Sequence, residues 1–315
     1  MVRVYEFARE MNKKSKEVVA ICQSLGIRVK AQSGLNVKQL ENLKHYFNET
    51  SKNLIGGSEP TAVKRDELEN KSVAYIVCEC EPFTNFGKLG KRSAEIIKEI
   101  QKQGNNPVVI LPKYSFIKKK NLDHILDVSV QVGHNLHQGS VFQLTKAGVT
   151  YLFIDDDFYF SREKIYGYED DVERFTFFNR AILNCLPLLQ DPIYDVYLND
   201  WQTSIFALLL KVEYSQQAYY RQIKTNLTIH DLTYQGWCEA KLLSEVLGIS
   251  EEYYTNGLTR LGSAVNLLKS GIETADTISL TKSSESQMKS AELVETGLNA
   301  ILERNLKFKT IQGVK

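Results

Sequence analysis

Residues 159–178 read YFSREKIYGYEDDVERFTFF, residues 194–204 read YDVYLNDWQTS and residues 226–236 read NLTIHDLTYQG. The second and third blocks each begin with a short apolar or β-branched run and then turn polar, which is typical of strands whose ends face a site. The first block predicts a loop followed by a helix that begins near Asp170, where acidic side chains favour the helix dipole. The three blocks therefore predict an α/β domain with polar residues gathered at strand ends.

Short apolar runs alternate with helical patterns from residue 72 onward. Strands are predicted at 73–78, 108–111, 128–132, 140–145, 149–155, 196–198, 226–230 and 277–281. Helices are predicted at 92–104, 170–186, 202–212, 238–246 and 262–274. This alternation is typical of a Rossmann-like domain whose mostly parallel sheet is covered on both faces. Such sheets bind ligands at the carboxyl ends of their strands, so the loops that follow the strands hold the candidate site.

Residues 1–47 predict a small helical module in front of this domain. Ser15 is a good N-cap for a helix over 16–25. Asn36 caps a second amphipathic helix that carries Val37, Leu40, Leu43 and Phe47. Residues 48–71 are polar and carry Gly-Gly and Pro, so they predict a flexible linker. The predicted organisation is thus the module, the linker and an α/β domain over 72–315.

The composition is that of an ordinary globular protein, with 43% hydrophobic and 24% charged residues. The formal net charge of +1 excludes a strong general attraction to nucleic acid or to a membrane. No apolar run is long enough to span a bilayer and no signal peptide is evident, so a cytoplasmic protein without membrane contact is expected. The five cysteines match no metal-site spacing, and neither a metal nor a cofactor is expected.

In order and spacing the three blocks resemble those of bacterial glycogen synthases and plant starch synthases, the GT-B enzymes of glycosyltransferase family 5. The resemblance covers residues 72–315, which correspond to the amino-terminal catalytic domain. It implies binding of α-1,4-glucan, because the family holds its glucan acceptor largely on this half and ADP-glucose largely on the other. The sequence ends about where the first half would be complete, so we expect the donor-binding half to be absent.

The loop after the first strand of the domain, ECEPFTNFGKLGK at 79–91, departs from the family pattern Lys-Thr-Gly-Gly-Leu-Ala-Asp. Asn85 replaces the Lys, Lys88 the second Gly and Lys91 the Asp, whereas Gly87 matches. Loss of the Lys removes a fixed cation for a diphosphate, and a side chain at residue 88 restricts the backbone. The donor loop is therefore expected to be degenerate.

The other blocks keep more of the family's residues. His230 corresponds to an active-site histidine and is the expected catalytic residue, with a structural histidine as the alternative. The resemblance implies these substrate-binding residues: Tyr166, Tyr168, Asp200, Trp201, Gln202, Asp231, Tyr234 and Gln235. Two alternatives remain for these residues. Trp201 can instead belong to the core, and Asp170 and Arg174 can form a structural ion pair instead of contacting sugar. Three family histidines are replaced, by Tyr197, Asn199 and Gln202.

Residues 2–35, VRVYEFAREMNKKSKEVVAICQSLGIRVKAQSGL, resemble the small amino-terminal helical module of bacterial translation initiation factor two. Residues 1–47 carry nine Lys and Arg against four acids, an excess that favours RNA, the ribosome or another acidic partner. A solvated basic face on a docking module is the alternative, because no aromatic platform accompanies the charge.

Three functions remain open. The first is a glycogen synthase-like pseudoenzyme that binds glucan or regulates a partner and is not catalytic alone. The second is the acceptor-binding subunit of a split glucosyltransferase using ADP-glucose, with its donor half on a separate chain. The third is an RNA- or ribosome-linked adaptor that acts through residues 1–47. The altered loop around Asn85 speaks against the second, because splitting an enzyme would not alter that loop.

Overall fold

The computed structural model of the protein describes residues 71–189 and 191–309. Within the first seventy residues it describes 2–10, 15, 18–19, 22, 29–30, 32–35, 39–40 and 43. The chain divides into two compact units, Met1–Glu69 and Asn70–Lys315. Most of the predicted linker therefore lies outside the described residues, and the predicted domain boundaries stay a prediction.

The first unit has a small apolar core. Strand β1 (Val2–Arg3) pairs antiparallel with β2 (Gly34–Leu35), and helix α1 (Val4–Glu10) follows β1 directly. The buried side chains of this unit are Val4, Phe7, Ala8, Val18, Cys22, Val29, Leu35 and Leu43. Residues 18–19, 22, 39–40 and 43 of the two predicted helices are helical. Ser15 is itself helical, so its prediction as the N-cap of the first helix is wrong. The sequence did not predict α1 or the β1–β2 pair.

The second unit is built on an eight-stranded sheet. Its strands are β3 (Ser72–Ile76), β4 (Asn106–Pro112), β5 (Asp123–Val132), β6 (Asn135–Lys146), β7 (Val149–Asp155), β8 (Asp195–Asn199), β9 (Lys224–Ile229) and β13 (Thr277–Leu280). Their spatial order is β13-β9-β8-β3-β4-β7-β6-β5. The first six in this order run parallel, and β5 and β6 join as antiparallel strands. The predicted α/β fold with a large parallel sheet is confirmed.

The burial pattern of each strand agrees with its parallel or antiparallel pairing. Every residue of β7 except one is buried, as expected for a strand covered on both faces, whereas β5 alternates exposed and buried residues along much of its length. Such alternation leaves one face of the β5–β6 hairpin toward water, which antiparallel sheets tolerate and parallel sheets seldom do. The hairpin therefore extends the parallel core at one edge.

Helices connect the strands. The longer ones are α2 (Lys88–Lys102), α4 (Asp171–Cys185), α5 (Asp200–Leu209), α9 (Leu267–Thr274) and α12 (Leu298–Lys309). The short ones are α3 (Asp157–Phe160), α6 (Ala218–Arg221), α7 (Leu242–Glu245), α8 (Glu252–Thr255), α10 (Lys282–Gln287) and α11 (Ala291–Thr296). A π-helical turn, Leu210–Tyr214, continues α5.

Two helix predictions are wrong in part. A three-stranded antiparallel sheet of β10 (Trp237–Cys238), β11 (Arg260–Leu261) and β12 (Ala264–Asn266) contains residues 238 and 264–266, which the sequence predicts to be helical. Residues 262–263, also predicted to be helical, form the turn between β11 and β12. Helix α9 starts only at Leu267, because the Asn266 side chain caps it by accepting the N–H of Lys269 at 2.8 Å. No helix in the described part of the chain is both long and apolar enough to cross a membrane.

Candidate functional site

Asp200 and His230 come together where β8 and β9 end. Asp200 Oδ1 accepts the backbone N–H of His230 at 2.7 Å and that of Asp231 at 3.2 Å. Asp200 adopts a left-handed backbone conformation with φ of 57°, which is strained for a residue with a Cβ. The Asp200 side chain thus links the end of β8 to the end of β9, while its own backbone has an uncommon conformation.

The Asp200 carboxyl is nearly inaccessible, at 8% exposure. Burial raises its pKa to about 7, although the N–H groups of His230 and Asp231 act in the opposite direction. The negative charges of Asp231 and Glu79 add to the rise. The Asp200 carboxyl therefore titrates near neutral pH, a property that is common at functional sites.

His230 is held by Asn199, the last residue of β8. Its Nε2 lies 2.9 Å from Asn199 Oδ1, and the Tyr75 hydroxyl donates to the same oxygen at 2.9 Å. Asn199 Nδ2 donates to the carbonyl of Ile76 at 2.9 Å. Burial, followed by the positive charge of Arg92, lowers the pKa of His230 to about 4, so the imidazole is neutral at pH 7.

Gln287, at the end of α10, hydrogen-bonds to the loop that follows β9. Asp231 Oδ1 accepts from the Thr233 N–H and from Gln287 Nε2, both at 2.8 Å. Gln287 Oε1 in turn accepts the N–H of Leu232 at 2.8 Å. Burial raises the pKa of Asp231, but these hydrogen bonds outweigh it and the pKa is lowered overall. Asp231 therefore uses one oxygen to shape the loop.

Trp201 and Gln235 lie inside the domain. Trp201 is 7% exposed, packs edge-to-face on Phe175 at 5.5 Å and covers Gly236. Gln235 is 3% exposed, donates to the Leu232 carbonyl and accepts from Asn266 Nδ2 at 2.7 Å. Both side chains therefore pack against or hydrogen-bond to the loop after β9 from inside the domain.

Tyr234, Trp237 and Gln202 are reachable from solvent. Tyr234 is 69% exposed and Trp237 is 43% exposed, which gives the end of the β9 loop two open aromatic rings. Gln202 is partly exposed in the first turn of α5, where its backbone carbonyl accepts from Asn179 Nδ2 at 2.7 Å. The sequence interpretation did not include Trp237, although it follows the motif directly.

The loop before α4 is fixed by arginines. Arg162 binds both carboxylate oxygens of Asp170 at 2.6 Å, a geometry with strong directionality. The ion pair left open between Asp170 and Arg174 is not formed by their side chains, because Arg174 pairs with Asp171, three residues before it on the helix. The Tyr168 ring lies under both guanidinium groups, at 5.0 Å from Arg162 and 4.8 Å from Arg174.

Tyr166 differs from Tyr168 in its surroundings. Its ring lies 6.2 Å from that of Phe175, and burial raises the pKa of its hydroxyl, with the negative charge of Glu79 acting in the same direction. Tyr166 is therefore partly buried near Glu79, whereas Tyr168 packs against Arg162 and Arg174.

The loop between β3 and α2 contains a buried carboxyl group. Glu79, buried at 4% exposure, accepts the N–H of Phe86 at 3.0 Å and that of Gly87 at 2.9 Å. Asn85 donates to Glu81 at 2.7 Å, and Lys88 and Lys91 are exposed. An open groove beside the loop is lined by Asn85, Gly87, Lys88, Lys91, Arg92 and Glu95.

Glu79 and Asn199 are two further residues that the sequence interpretation did not place in the site. Each follows or ends a parallel strand, and that position was the available signal for both. Together with Asp200 and His230 they supply hydrogen-bonding groups at the carboxyl edge of the sheet. A neutral imidazole, a carboxyl that titrates near neutrality and open rings suit a ligand rich in hydroxyl groups.

Family models match both units of the chain. The model "Starch synthase catalytic domain" matches residues 72–304. A second, weak match covers residues 2–50, with the model "Translation initiation factor IF-2, N-terminal region". The first match includes every residue of the site described above.

Several curated glycogen synthases are similar to this chain. That of Clostridioides difficile (strain 630) is 38% identical over 213 residues, which cover 65% of this chain and 44% of the relative. That of Alkaliphilus metalliredigens (strain QYMF) is 32% identical over 245 residues, 77% of this chain and 51% of the relative. The chain thus spans about half the length of the curated relatives it matches.

A solved structure shows the same architecture. It is the catalytic domain of starch synthase IV from Arabidopsis thaliana bound to ADP and acarbose, with a TM-score of 0.67 and 25% identity. The superposition covers 76% of this chain and 50% of that chain.

Proposed function

This chain belongs to the starch synthase catalytic domain family through residues 72–304, and on that basis we propose that it binds α-1,4-glucan through its second unit. The domain acts as a glucan-binding or regulatory partner and does not transfer glucose by itself. The observation that carries the proposal is the joining of Asp200 and His230 at the ends of β8 and β9. A carboxyl and a neutral imidazole there suit hydroxyl groups without requiring a charged ligand.

The open rings at the end of the β9 loop support the same ligand class. Tyr234 and Trp237 present large apolar faces to solvent, on which the faces of a pyranose ring can stack. Trp201 has no such role, since it is buried under Gly236 and against Phe175. The proposed binding surface therefore consists of Asp200, His230, Tyr234 and Trp237, with Tyr166 and Gln202 at its border.

We expect maltoheptaose to bind with modest affinity and Tyr234→Ala to weaken this binding about three- to tenfold. The weakening follows from the loss of one stacking face, worth about 0.5–1.5 kcal/mol. Isothermal titration calorimetry measures both values. The matched control is Tyr5→Ala, an exposed tyrosine of the first unit, which should leave the affinity unchanged. If the unaltered protein gives no heat of binding at millimolar ligand, the glucan proposal fails.

The loop between β3 and α2 supports the second part of the proposal. The two N–H groups that an anionic ligand would use at Phe86 and Gly87 are bonded to Glu79. The residue at the family's lysine position, Asn85, carries no charge and is bonded to Glu81. A diphosphate thus finds no cation at the family's lysine position and no free N–H at Phe86 or Gly87.

We expect the 315-residue polypeptide alone to transfer no glucose from ADP-glucose or UDP-glucose to glycogen. Much of the barrier reduction in a transfer reaction comes from fixing donor and acceptor together, and this loop carries Asn85 where the family has the lysine for the donor phosphates. Incorporation of labelled glucose into precipitated glycogen measures the activity, with the Clostridioides difficile glycogen synthase as the positive control. Incorporation above background refutes the expectation. Activity that appears only after a donor-half chain is added supports the split enzyme.

A second candidate function rests on the first unit. The match of residues 2–50 to the initiation factor model favours an adaptor that binds RNA or the ribosome. The excess of basic residues over 1–47 agrees with an acidic partner. If maltoheptaose does not bind, this adaptor, with the second unit serving as a scaffold, becomes the better account.

A further inference from the structure

Asn199 is the hub of a buried hydrogen-bond network. It is 2% exposed, and all its side-chain polar atoms have partners: Oδ1 meets Tyr75 and His230, and Nδ2 meets the Ile76 carbonyl. Its own N–H and carbonyl are engaged by the Thr203 hydroxyl. A buried group with this many partners has one orientation.

The chemistry of the partners fixes that orientation. The Ile76 carbonyl can only accept, so the amide group facing it must be the NH₂ of Asn199. The amide oxygen then faces Tyr75 and His230 and can only accept from them. A flipped amide would set two carbonyl oxygens against each other. The contact with His230 is therefore a hydrogen bond donated by Nε2–H.

The position of this proton decides what the other ring nitrogen does. In a neutral imidazole one nitrogen carries hydrogen and the other carries a lone pair. Nδ1 of His230 makes no hydrogen bond to any residue in the described part of the chain. The fully buried side-chain polar atoms that lack a partner in this part of the chain are Asp155 Oδ1, Arg174 Nη2 and Asn179 Oδ1. Nδ1 of His230 is not among them. Nδ1 is therefore at least partly exposed and has its lone pair unused by the described residues.

We propose that Asn199 is a positioning residue that holds His230 as its Nε2–H tautomer and so presents the Nδ1 lone pair to a hydroxyl donor of the ligand. The identity of that ligand rests on the proposed glucan binding, whereas the tautomer does not. The arrangement selects neutral, hydroxyl-rich ligands over ligands that offer only acceptors, because Nδ1 has no proton to donate.

Burial, followed by the positive charge of Arg92, keeps the imidazole of His230 neutral. Arg92 repels a second proton. Asp200 and Asp231 face the backbone of His230 and its loop, and the Tyr75 hydroxyl meets the shared Asn199 oxygen. Protonation of Nδ1 would replace the acceptor with a donor. The tautomer should therefore persist from pH 8 down to about pH 5, because burial opposes the imidazolium form.

Long-range ¹H–¹⁵N NMR of protein labelled at histidine tests the tautomer directly. The chain has five histidines, and His230→Gln identifies the relevant signals. We expect the unaltered protein at pH 7 to show a protonated Nε2 and an unprotonated Nδ1 for His230. A protonated Nδ1, or fast exchange between both tautomers, overturns the proposal without any variant of Asn199.

Two variants separate positioning from simple packing. Asn199→Leu removes the acceptor and should give mixed tautomers together with about two- to tenfold weaker maltoheptaose binding, the worth of one hydrogen bond. Tyr75→Phe keeps the Asn199–His230 bond and should leave the tautomer unchanged. If Asn199→Leu folds and keeps a pure Nε2–H spectrum, Asn199 is not the positioning residue.

Titration of maltoheptaose into the labelled protein tests the ligand contact. We expect the Nδ1 signal to shift while Nε2 stays protonated. Binding without any change at Nδ1 overturns the contact, even though glucan binding itself would stand. Absence of binding overturns the proposed function, and the role of Asn199 is then decided by the ligand-free spectra and the two variants.

Discussion

Replacing Asp200 with asparagine should stabilise this protein at pH 8 by about 2–4 kcal/mol in the free energy of unfolding. Asparagine keeps an oxygen that accepts the N–H groups of His230 and Asp231, and it tolerates the left-handed conformation found at residue 200. It removes the cost of burying a negative charge at 8% exposure. Most substitutions of buried polar residues destabilise, so the sign is diagnostic.

The pH dependence follows from the direction of the pKa shift. Burial raises the pKa of Asp200 from its ordinary value of 3.8 to about 7. A carboxyl with a raised pKa contributes its full stability below pH 3.8 and loses it as the pH rises through 7. The gain from Asp200→Asn should therefore be largest above pH 7 and shrink toward pH 4.

Urea denaturation followed by circular dichroism at a series of pH values measures this difference. The control is Asp123→Asn, which removes one negative charge from an exposed position at the start of β5. It should change the free energy of unfolding by less than about 0.5 kcal/mol at every pH. A loss of stability in Asp200→Asn at pH 8 would show that the ionised carboxylate is held by interactions stronger than its burial cost.

Gly236→Ala should destabilise the second unit by about 3–5 kcal/mol. Gly236 has φ of 65°, in the left-handed region, and a Cβ there would lie within 3 Å of the Trp201 ring and 3.1 Å from Leu267 Cβ. The ring cannot retreat, because Phe175 packs against it edge-to-face at 5.5 Å. Conformational strain and overpacking therefore add.

Gly262→Ala separates these two contributions. Gly262 has a similar φ of 59°, but no atom lies within 4 Å of its would-be Cβ. Its alanine variant should cost only the conformational part, about 1–2 kcal/mol. Thermal and urea unfolding of both variants give the comparison. Equal losses at the two positions would mean that the contact between Trp201 and Gly236 is looser than the structure has it.

The parallel core of the fold was predictable because its strands are short, apolar and buried. The run VTYLFID was predicted to be a strand at 149–155, and β7 occupies those residues. Residues 264–266 were misassigned as helix, because their apolar spacing continues that of α9. Only the pairing of β12 with β10 and β11, a tertiary effect, makes them a strand.

The candidate site was predictable in position but not in detail. Strand ends pointed to Asp200 and His230, and the structure brings these residues together. Whether a motif residue faces solvent depends on packing from other elements, so the burial of Gln235 and the exposure of Trp237 could not be foreseen. The Asp170 side chain paired with Arg162, because a bidentate contact across the loop outcompetes a helical neighbour.

The network around Asn199 has a consequence for the order of assembly. The Tyr75–Asn199 hydrogen bond joins residues 124 positions apart, and the Gln287–Asp231 bond joins residues 56 apart. During synthesis at about 5–20 residues per second, Tyr75 waits roughly 6–25 s for Asn199 to be made. Contacts at such separations carry a loop-closure cost that local contacts do not. We therefore expect the sheet edge that positions His230 to form late in folding, after α10 has been synthesised and has packed against the loop that follows β9.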